Sequence, residues 1–384
     1  MLTFYIILLV STKIIFIVSL CLACRLKKML MLSYLYGVIS LSYFFCVLPL
    51  TAYKENTSLL DFIFVLCVAL FYSIFYSLYS ISTFVKNKIF INNKKINKIC
   101  KVLIFSFLIT IIELLISSVI SIFTSGSILP DFAFTSIGFA LSYSPIVFFA
   151  KYAHVYGLTF IMCVIVASIL ELNLNNKIKI LLLSIFVLFC FININKKLDN
   201  YTQKSPNDIF ITKEGESATK NKKIEDLKKE YALIVDSVQE VKYFEDGIPV
   251  FYSLSKVYNT EDMSVHKIYK RFRMPFGEYW PWTFKFIKYI NPEIYNIMLQ
   301  TRNYASKDDN KIFTFNGNRY AVLLCSDAWS PISVNNIMRQ NPDIIILQRS
   351  DDVFHSNPYF LAHIETWKRV LLAYTNVRII DVNE

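Results

Sequence analysis

Apolar residues crowd the first half of the chain and thin out after Asn195, where Lys, Asp, Glu, Asn and Pro return. A helix that crosses the hydrocarbon core of a bilayer needs about 20 mainly apolar residues. Runs of that kind occupy residues 2–23, 29–50, 59–84, 102–123, 155–172 and 178–195. The pattern predicts a membrane α-helical bundle of about six spans. Residues 131–152 do not fit it. They are aromatic, rich in small residues and broken by Pro145, which suits an outer-interface or re-entrant arm. The first run is long, has no basic start and has no small-residue cleavage site, so it is expected to be retained rather than removed as a signal peptide. Lys13 sits in that run. A lysine at bilayer depth is costly unless it faces a bundle interior or snorkels.

The second half reads differently. Residues 196–207 are polar and lysine-rich and form a linker. Short β-rich runs follow at 208–212, 231–235, 250–254, 320–324 and 344–347. Helical patterns fall at 222–230, 334–339 and 357–373. Buried strands alternating with helices predict an α/β or layered α+β domain. The expected division is thus 1–195 helical, 196–207 linker and 208–384 a second domain.

Charge adds orientation. The formal net charge is +11. Basic residues cluster after the first, third and fifth runs: Arg25, Lys27 and Lys28, then Lys86, Lys88, Lys94, Lys95, Lys98 and Lys101, then Lys177 and Lys179. The alternate loops carry little positive charge. Positive loops stay in the cytoplasm, so the second domain is expected outside, on the periplasmic face of an inner membrane. The remaining lysines form no basic stripe and accompany no RNA-binding aromatic signature, so no nucleic-acid partner is expected. Of eight cysteines, only Cys325 lies in the second half. The others sit in or beside apolar runs, where cysteine behaves as a small hydrophobe. No His-Glu-x-x-His pattern occurs, so no metal and no cofactor is expected.

Three residues could carry chemistry. Cys325 ends the run Ala321-Val322-Leu323-Leu324, and a nucleophile at a strand tip is held rigidly and exposed at a turn. Alone, a buried structural cysteine reads as well. Lys270, beside Tyr269, can stabilise an oxyanion; alone it also reads as a solvated lysine. Glu214 follows the run at 208–212 and can accept a thiol proton if burial tunes it. Glu216 competes for that role.

The joint pattern is more specific. Tyr269-Lys270-Arg271-Phe272-Arg273-Met274-Pro275-Phe276-Gly277-Glu278-Tyr279-Trp280-Pro281 resembles the lysine motif of apolipoprotein N-acyltransferases, membrane members of the carbon-nitrogen hydrolase (nitrilase) superfamily. Residues 208–214 look like that family's glutamate segment, and Leu323-Leu324-Cys325 looks like its nucleophile segment. Weaker matches occur at Tyr258-Asn259, at 350–354 and at 373–376, and the similarity runs patchily from 138 to 381. The resemblance implies an α/β nitrilase-like αββα sandwich, abbreviated at both ends, with Glu214, Lys270 and Cys325 as catalytic residues and Glu278 and Asp327 in support. The chain departs from the family in the short interval before Glu214, in Ser326-Asp327 where Tyr-Glu is usual, and in ending where later strands and a last span are expected.

The activity so implied is transfer of a phospholipid acyl chain, through a cysteine thioester, to the N-terminal amine of a lipoprotein. The membrane, a phospholipid donor and a lipoprotein acceptor are the expected partners. The departures leave two alternatives: a catalytically impaired envelope or conjugal-transfer relative, and a membrane amidohydrolase that passes the acyl group to water.

Overall fold

The structure is a computed structural model that describes residues 2–52, 59–125, 128–133, 135–193, 208–213, 224–243, 247–273, 278–279, 281–282, 285–301, 303–307, 312–349 and 358–382. The chain clusters into two compact units. One contains Met1–Ile120, Ala133–Lys197 and Phe354–Tyr374; the other contains Ser121–Phe132, Leu198–Val353 and Thr375–Glu384.

The helical unit is built from α1 (Leu2–Leu22), α2 (Leu26–Ala52), α3 (Leu59–Tyr76), α4 (Tyr79–Lys88), α5 (Lys94–Ser125), α6 (Ala150–Glu171) and α7 (Asn176–Cys190). Among the described residues, four stretches are helical, long and apolar enough to cross a membrane: Leu2–Leu22, Leu66–Lys88, Lys94–Phe123 and Pro145–Glu171. They fall on four of the expected runs. The helix covering the sixth run, α7, has only 15 residues.

One detail differs from the sequence reading. Lys86 was expected in a basic loop, yet it lies in the last turn of α4 and is buried, reaching the Cys21 carbonyl at 3.0 Å and Glu171 at 3.4 Å. Its long stem carries the ammonium back to helix-end acceptors. The stretch after α5 is not helical but forms two short 3-10 turns, Ile137–Leu141 and Pro145–Phe149, before α6. Gly138 makes the first turn's packing feasible: a Cβ there would lie 2.1 Å from the Val155 carbonyl oxygen of α6. Helix α6 is itself kinked at Ala153 and His154, where φ of His154 is +52°.

The second unit holds two four-stranded sheets. The first contains β1 (Ile209–Ile211), β2 (Leu233–Tyr243), β3 (Pro249–Asn259) and β4 (Val265–Tyr269), in that order. β1 runs parallel to β2 and the rest are antiparallel. Between β1 and β2 comes α8 (Ile224–Glu230), whose Leu227 packs on Ile234. After β4 come α9 (Ile287–Ile290) and α10 (Pro292–Thr301).

The second sheet contains β5 (Ile312–Phe315), β6 (Asn318–Leu324), β7 (Ile344–Gln348) and β8 (Arg378–Asp381). The β5–β6 hairpin turns at Asn316 and Gly317, both with positive φ, the backbone that a two-residue hairpin loop demands. α11 (Pro331–Met338) connects β6 to β7, and α12 (Pro358–Thr375), which clusters with the helical unit, precedes β8. β6, β7 and β8 are parallel, so each must return by a crossover.

One apolar core lies between the two sheets. Ile209, Leu233, Val235, Val257 and Ile268 from the first meet Phe313, Tyr320, Val322, Leu324, Ile346 and Ile380 from the second. The alternate residues of β6 and β7, Ala321, Leu323, Ile345 and Leu347, are buried too. Strands covered on both faces read as continuous apolar runs, which is why β6 and β7 stand out in the sequence. β4, β5 and β8 do not, being short and partly polar.

Candidate active site

Leu324 is the last residue of β6, and the chain then turns abruptly into a 3-10 helix, Cys325–Trp329. The turn is made at Cys325 itself, with φ at +41°. A side chain with a Cβ resists that region by roughly 1–3 kcal/mol, so surrounding contacts must hold it there. The geometry is that of a strand-to-helix elbow, which pushes the residue at its apex out of the sheet. Cys325 is accordingly half-buried while its neighbours Ser326 and Asp327 are buried.

Those two neighbours hold the elbow to the segment that carries Lys270. Asp327 Oδ1 accepts hydrogen bonds from the backbone N–H of Arg271 at 3.0 Å and of Phe272 at 2.7 Å. Ser326 donates its hydroxyl to the Phe272 carbonyl at 2.6 Å. Ser333 Oγ of α11 approaches the same Asp327 oxygen at 3.5 Å. The chain leaving β4 and the chain leaving β6 are therefore joined by three short polar links within three residues of each other.

Lys270 is the first residue beyond β4, anchored by its N–H on the Ser253 carbonyl at 2.8 Å. Its side chain is 3% exposed, and its ammonium lies 2.6 Å from Glu278 Oε1. A buried ammonium needs such a partner, because the desolvation cost of a lone charge is severe. Glu278 supplies such a partner. Arg273 lies with its guanidinium 4.4 Å from the Tyr279 ring centroid and bonds the Tyr304 carbonyl, bracing the far end of the same loop. Burial pushes its pKa below the ordinary arginine value.

A third segment approaches through Gln348. This residue ends β7, pairs in register with Leu324, and shares the inward face with Ile344 and Ile346. It is fully buried. Its Nε2 crosses to the other sheet and donates to the carbonyls of Thr212 at 2.9 Å and Val235 at 3.1 Å. Thr212 is further fixed by the Ser237 N–H, which donates to its hydroxyl at 2.6 Å. The chain leaving β1 is thus pinned beside the strand end that precedes Cys325. Next door, Arg349 donates through Nη2 to Asp381 at the end of β8, at 2.8 Å. Cys325, Gln348, Arg349 and Asp381 sit at the carboxyl ends of the parallel strands β6, β7 and β8, the usual place for a site in α/β sheets.

Of the residues singled out in the sequence, Cys325, Lys270, Glu278 and Asp327 belong to this one corner of the fold. Glu214 and Glu216 lie outside the described residues, as do the 196–207 linker, residues 274–277 of the lysine motif and residues 350–354. The positioning groups Ser326 and Gln348 escaped the sequence reading. Gln348 did leave a signal, a polar residue in phase with the inward Ile344 and Ile346 of a buried strand. Among the described residues no cluster of three or more His, Cys, Asp or Glu could hold a metal ion.

Comparison with known proteins adds little. No protein-family model matches the chain, and no curated protein matches it. Among solved structures, glutamine-dependent NAD+ synthetase from Acinetobacter baumannii, in complex with adenosine diphosphate, aligns at 20% identity with a TM-score of 0.24. The alignment covers 38% of this chain and 26% of that one, a weak likeness.

Proposed function

We propose that the chain is a membrane acyltransferase that works through a thioester on Cys325. The observation that carries the reading is the hydrogen-bonded junction of the Cys325 elbow with the Lys270 segment through Asp327 and Ser326. A thiol at the apex of a strained turn, tied through its neighbours to the segment that carries a buried ammonium, suits attack on a carbonyl and stabilisation of the resulting oxyanion.

In this reading Glu214, two positions after Thr212 in the sequence, takes the thiol proton. The sulfur attacks the ester carbonyl of a phospholipid; a C–S bond forms and the ester C–O bond breaks. The lysophospholipid alkoxide leaves with the proton from Glu214. The free N-terminal amine of a lipoprotein then attacks the thioester, giving up a proton to Glu214. An amide forms, the C–S bond breaks, and the sulfur recovers its proton. Lys270 faces the oxyanion in both halves, and Glu278 keeps it in place.

The finer architecture belongs to the same proposal: about six spans, an αββα nitrilase-like sandwich, and the sandwich outside the cytoplasm. The apolar half gives physical support. Each methylene of an acyl chain costs about 0.8 kcal/mol to expose to water, so the thiol of such an enzyme must work at a bilayer edge.

The test is covalent trapping. Full-length protein incubated with phospholipid carrying a labelled acyl chain should retain label on the tryptic peptide containing Cys325. The label should be absent in Cys325→Ala and discharged as an amide by a diacylated lipopeptide. Label that never attaches to Cys325 would overturn the proposal; label discharged only to water would make the protein a hydrolase.

A further inference from the structure

The helical unit holds ionisable groups that the chemistry at Cys325 does not use. Lys13 lies midway along α1 and is buried. It does not snorkel. Its ammonium donates to the Thr135 carbonyl at 3.0 Å and to the Tyr36 hydroxyl at 3.4 Å, and Tyr36 donates to the same carbonyl at 3.3 Å. Glu113 lies midway along α5, 4% exposed. Its Oε1 accepts the Ile137 N–H at 2.5 Å. No donor reaches its Oε2 in full hydrogen-bond geometry, although the hydroxyls of Thr159 and Ser136 lie close enough to interact with the carboxylate.

The two charges thus grip one short non-helical segment from either side, the lysine through a carbonyl and the glutamate through an N–H two residues later. The Gly138 N–H is held by Thr159 Oγ1 of α6 at 2.8 Å, so the segment is fixed along its length. Irregular backbone at this depth is tolerated only when its polar groups are met by protein. That explains one oxygen of Glu113 but not the other. A carboxylate oxygen buried without a fully formed hydrogen bond is costly and rare.

We propose that Glu113 Oε2 is a proton-binding site inside the helical unit, charge-balanced by Lys13. Binding is simple proton transfer from hydronium to the carboxylate, giving a neutral carboxyl and water. The neutral carboxyl gains an O–H donor and leaves the Ile137 N–H with a weaker, uncharged acceptor. Proton occupancy therefore sets how firmly the 135–138 segment is gripped. A cavity of about 20 Å³, lined by Lys13, Tyr36, Ser40, Thr135 and His363, offers room for one water on the lysine side. Among the described residues, the titratable groups around the pair are Lys13 from α1, Tyr76 from α3, Tyr79 from α4 and Cys163 from α6 facing Glu113, with Tyr36 from α2 and His363 from α12 facing Lys13. Lys13 is the only one of these that brings a positive charge to the carboxylate, and it does so across the segment rather than through direct contact. The site does not depend on the Cys325 reading.

The test uses the full-length protein in lipid nanodiscs and dicyclohexylcarbodiimide, an apolar reagent that adds to protonated carboxyls. Peptide mass spectrometry should find the adduct on Glu113, its rate rising as the pH falls. In Lys13→Met the loss of the facing cation should move the midpoint to higher pH by at least about tenfold in proton concentration. Infrared difference spectra should show a titrating carboxyl C=O band that Glu113→Gln abolishes. Absence of both the adduct and the band throughout the titration would reduce the pair to a structural clasp and overturn the proposal. So would labelling that ignores pH and Lys13. The wild-type arm needs no variant, so a Lys13→Met chain that fails to fold still leaves the outcome decided.

Discussion

Replacing Asp327 by Ala should cut the Lys270 segment loose from the Cys325 elbow. The perturbation removes the carboxylate, and with its Oδ1 the acceptor of two backbone N–H groups, Arg271 at 3.0 Å and Phe272 at 2.7 Å, in a position fully closed to water. Hydrogen bonds to a charged group contribute about 1.5–3 kcal/mol each, so the pair amounts to about 3–6 kcal/mol before relaxation. Water entering the space left by the carboxylate offsets part of this, leaving a local loss of about 2–4 kcal/mol. At 1.4 kcal/mol per decade, exchange of the two amides with deuterium should accelerate about 30- to 700-fold. The assay is hydrogen exchange read by mass spectrometry on the peptide that contains both amides. Asp327→Asn keeps an accepting oxygen and should fall between the two. Amide protection within about twofold of wild type in Asp327→Ala would refute the reasoning, because the link would then carry no local stability.

Three further outcomes are expected. Cys325→Gly should be more thermostable than Cys325→Ala by about 1 kcal/mol, because glycine relieves the cost of φ at +41°; equal melting temperatures would show that the elbow is unstrained. Gln348→Leu should leave the Thr212 carbonyl without its donor, and the Val235 carbonyl with the Thr212 N–H alone, and cost about 1–3 kcal/mol, read as faster exchange at the end of β1 and a slower Cys325 acylation rate; normal acylation would mean the link positions nothing. The hydrogen bond and charge of Lys267, helped by Lys256, hold Glu240 below the ordinary carboxylate value of 4.5. A depressed carboxylate stabilises the fold above its unfolded value, so this contribution is lost as pH falls from 4.5 through the lower folded value. Protection of β3 and β4 should drop across that window in wild type but less in Glu240→Gln, and identical acid profiles would remove Glu240 as the cause.

Much of the architecture was legible along the chain, and the reason is periodicity. Apolar runs of bilayer length marked the helices in which four stretches prove long enough to cross, and β6 and β7 announced themselves because both their faces are buried. The junction at 325–327 was half legible. Cys325 at a strand tip and Lys270 in its motif are local facts, whereas Asp327 reaching Arg271 and Phe272 links residues more than fifty positions apart. Nothing in the spacing of Ser326 or Gln348 tells which carbonyls they will meet. Lys13 marks the boundary most clearly. Its presence in an apolar run could be read directly, but whether it would snorkel or turn inward depended on a carbonyl at Thr135 and an acid at Glu113, brought beside it only by packing. Hydrophobic pattern is a property of neighbours in the chain and so survives in one dimension. Satisfaction of a buried charge is a property of neighbours in space, and only the folded chain decides it.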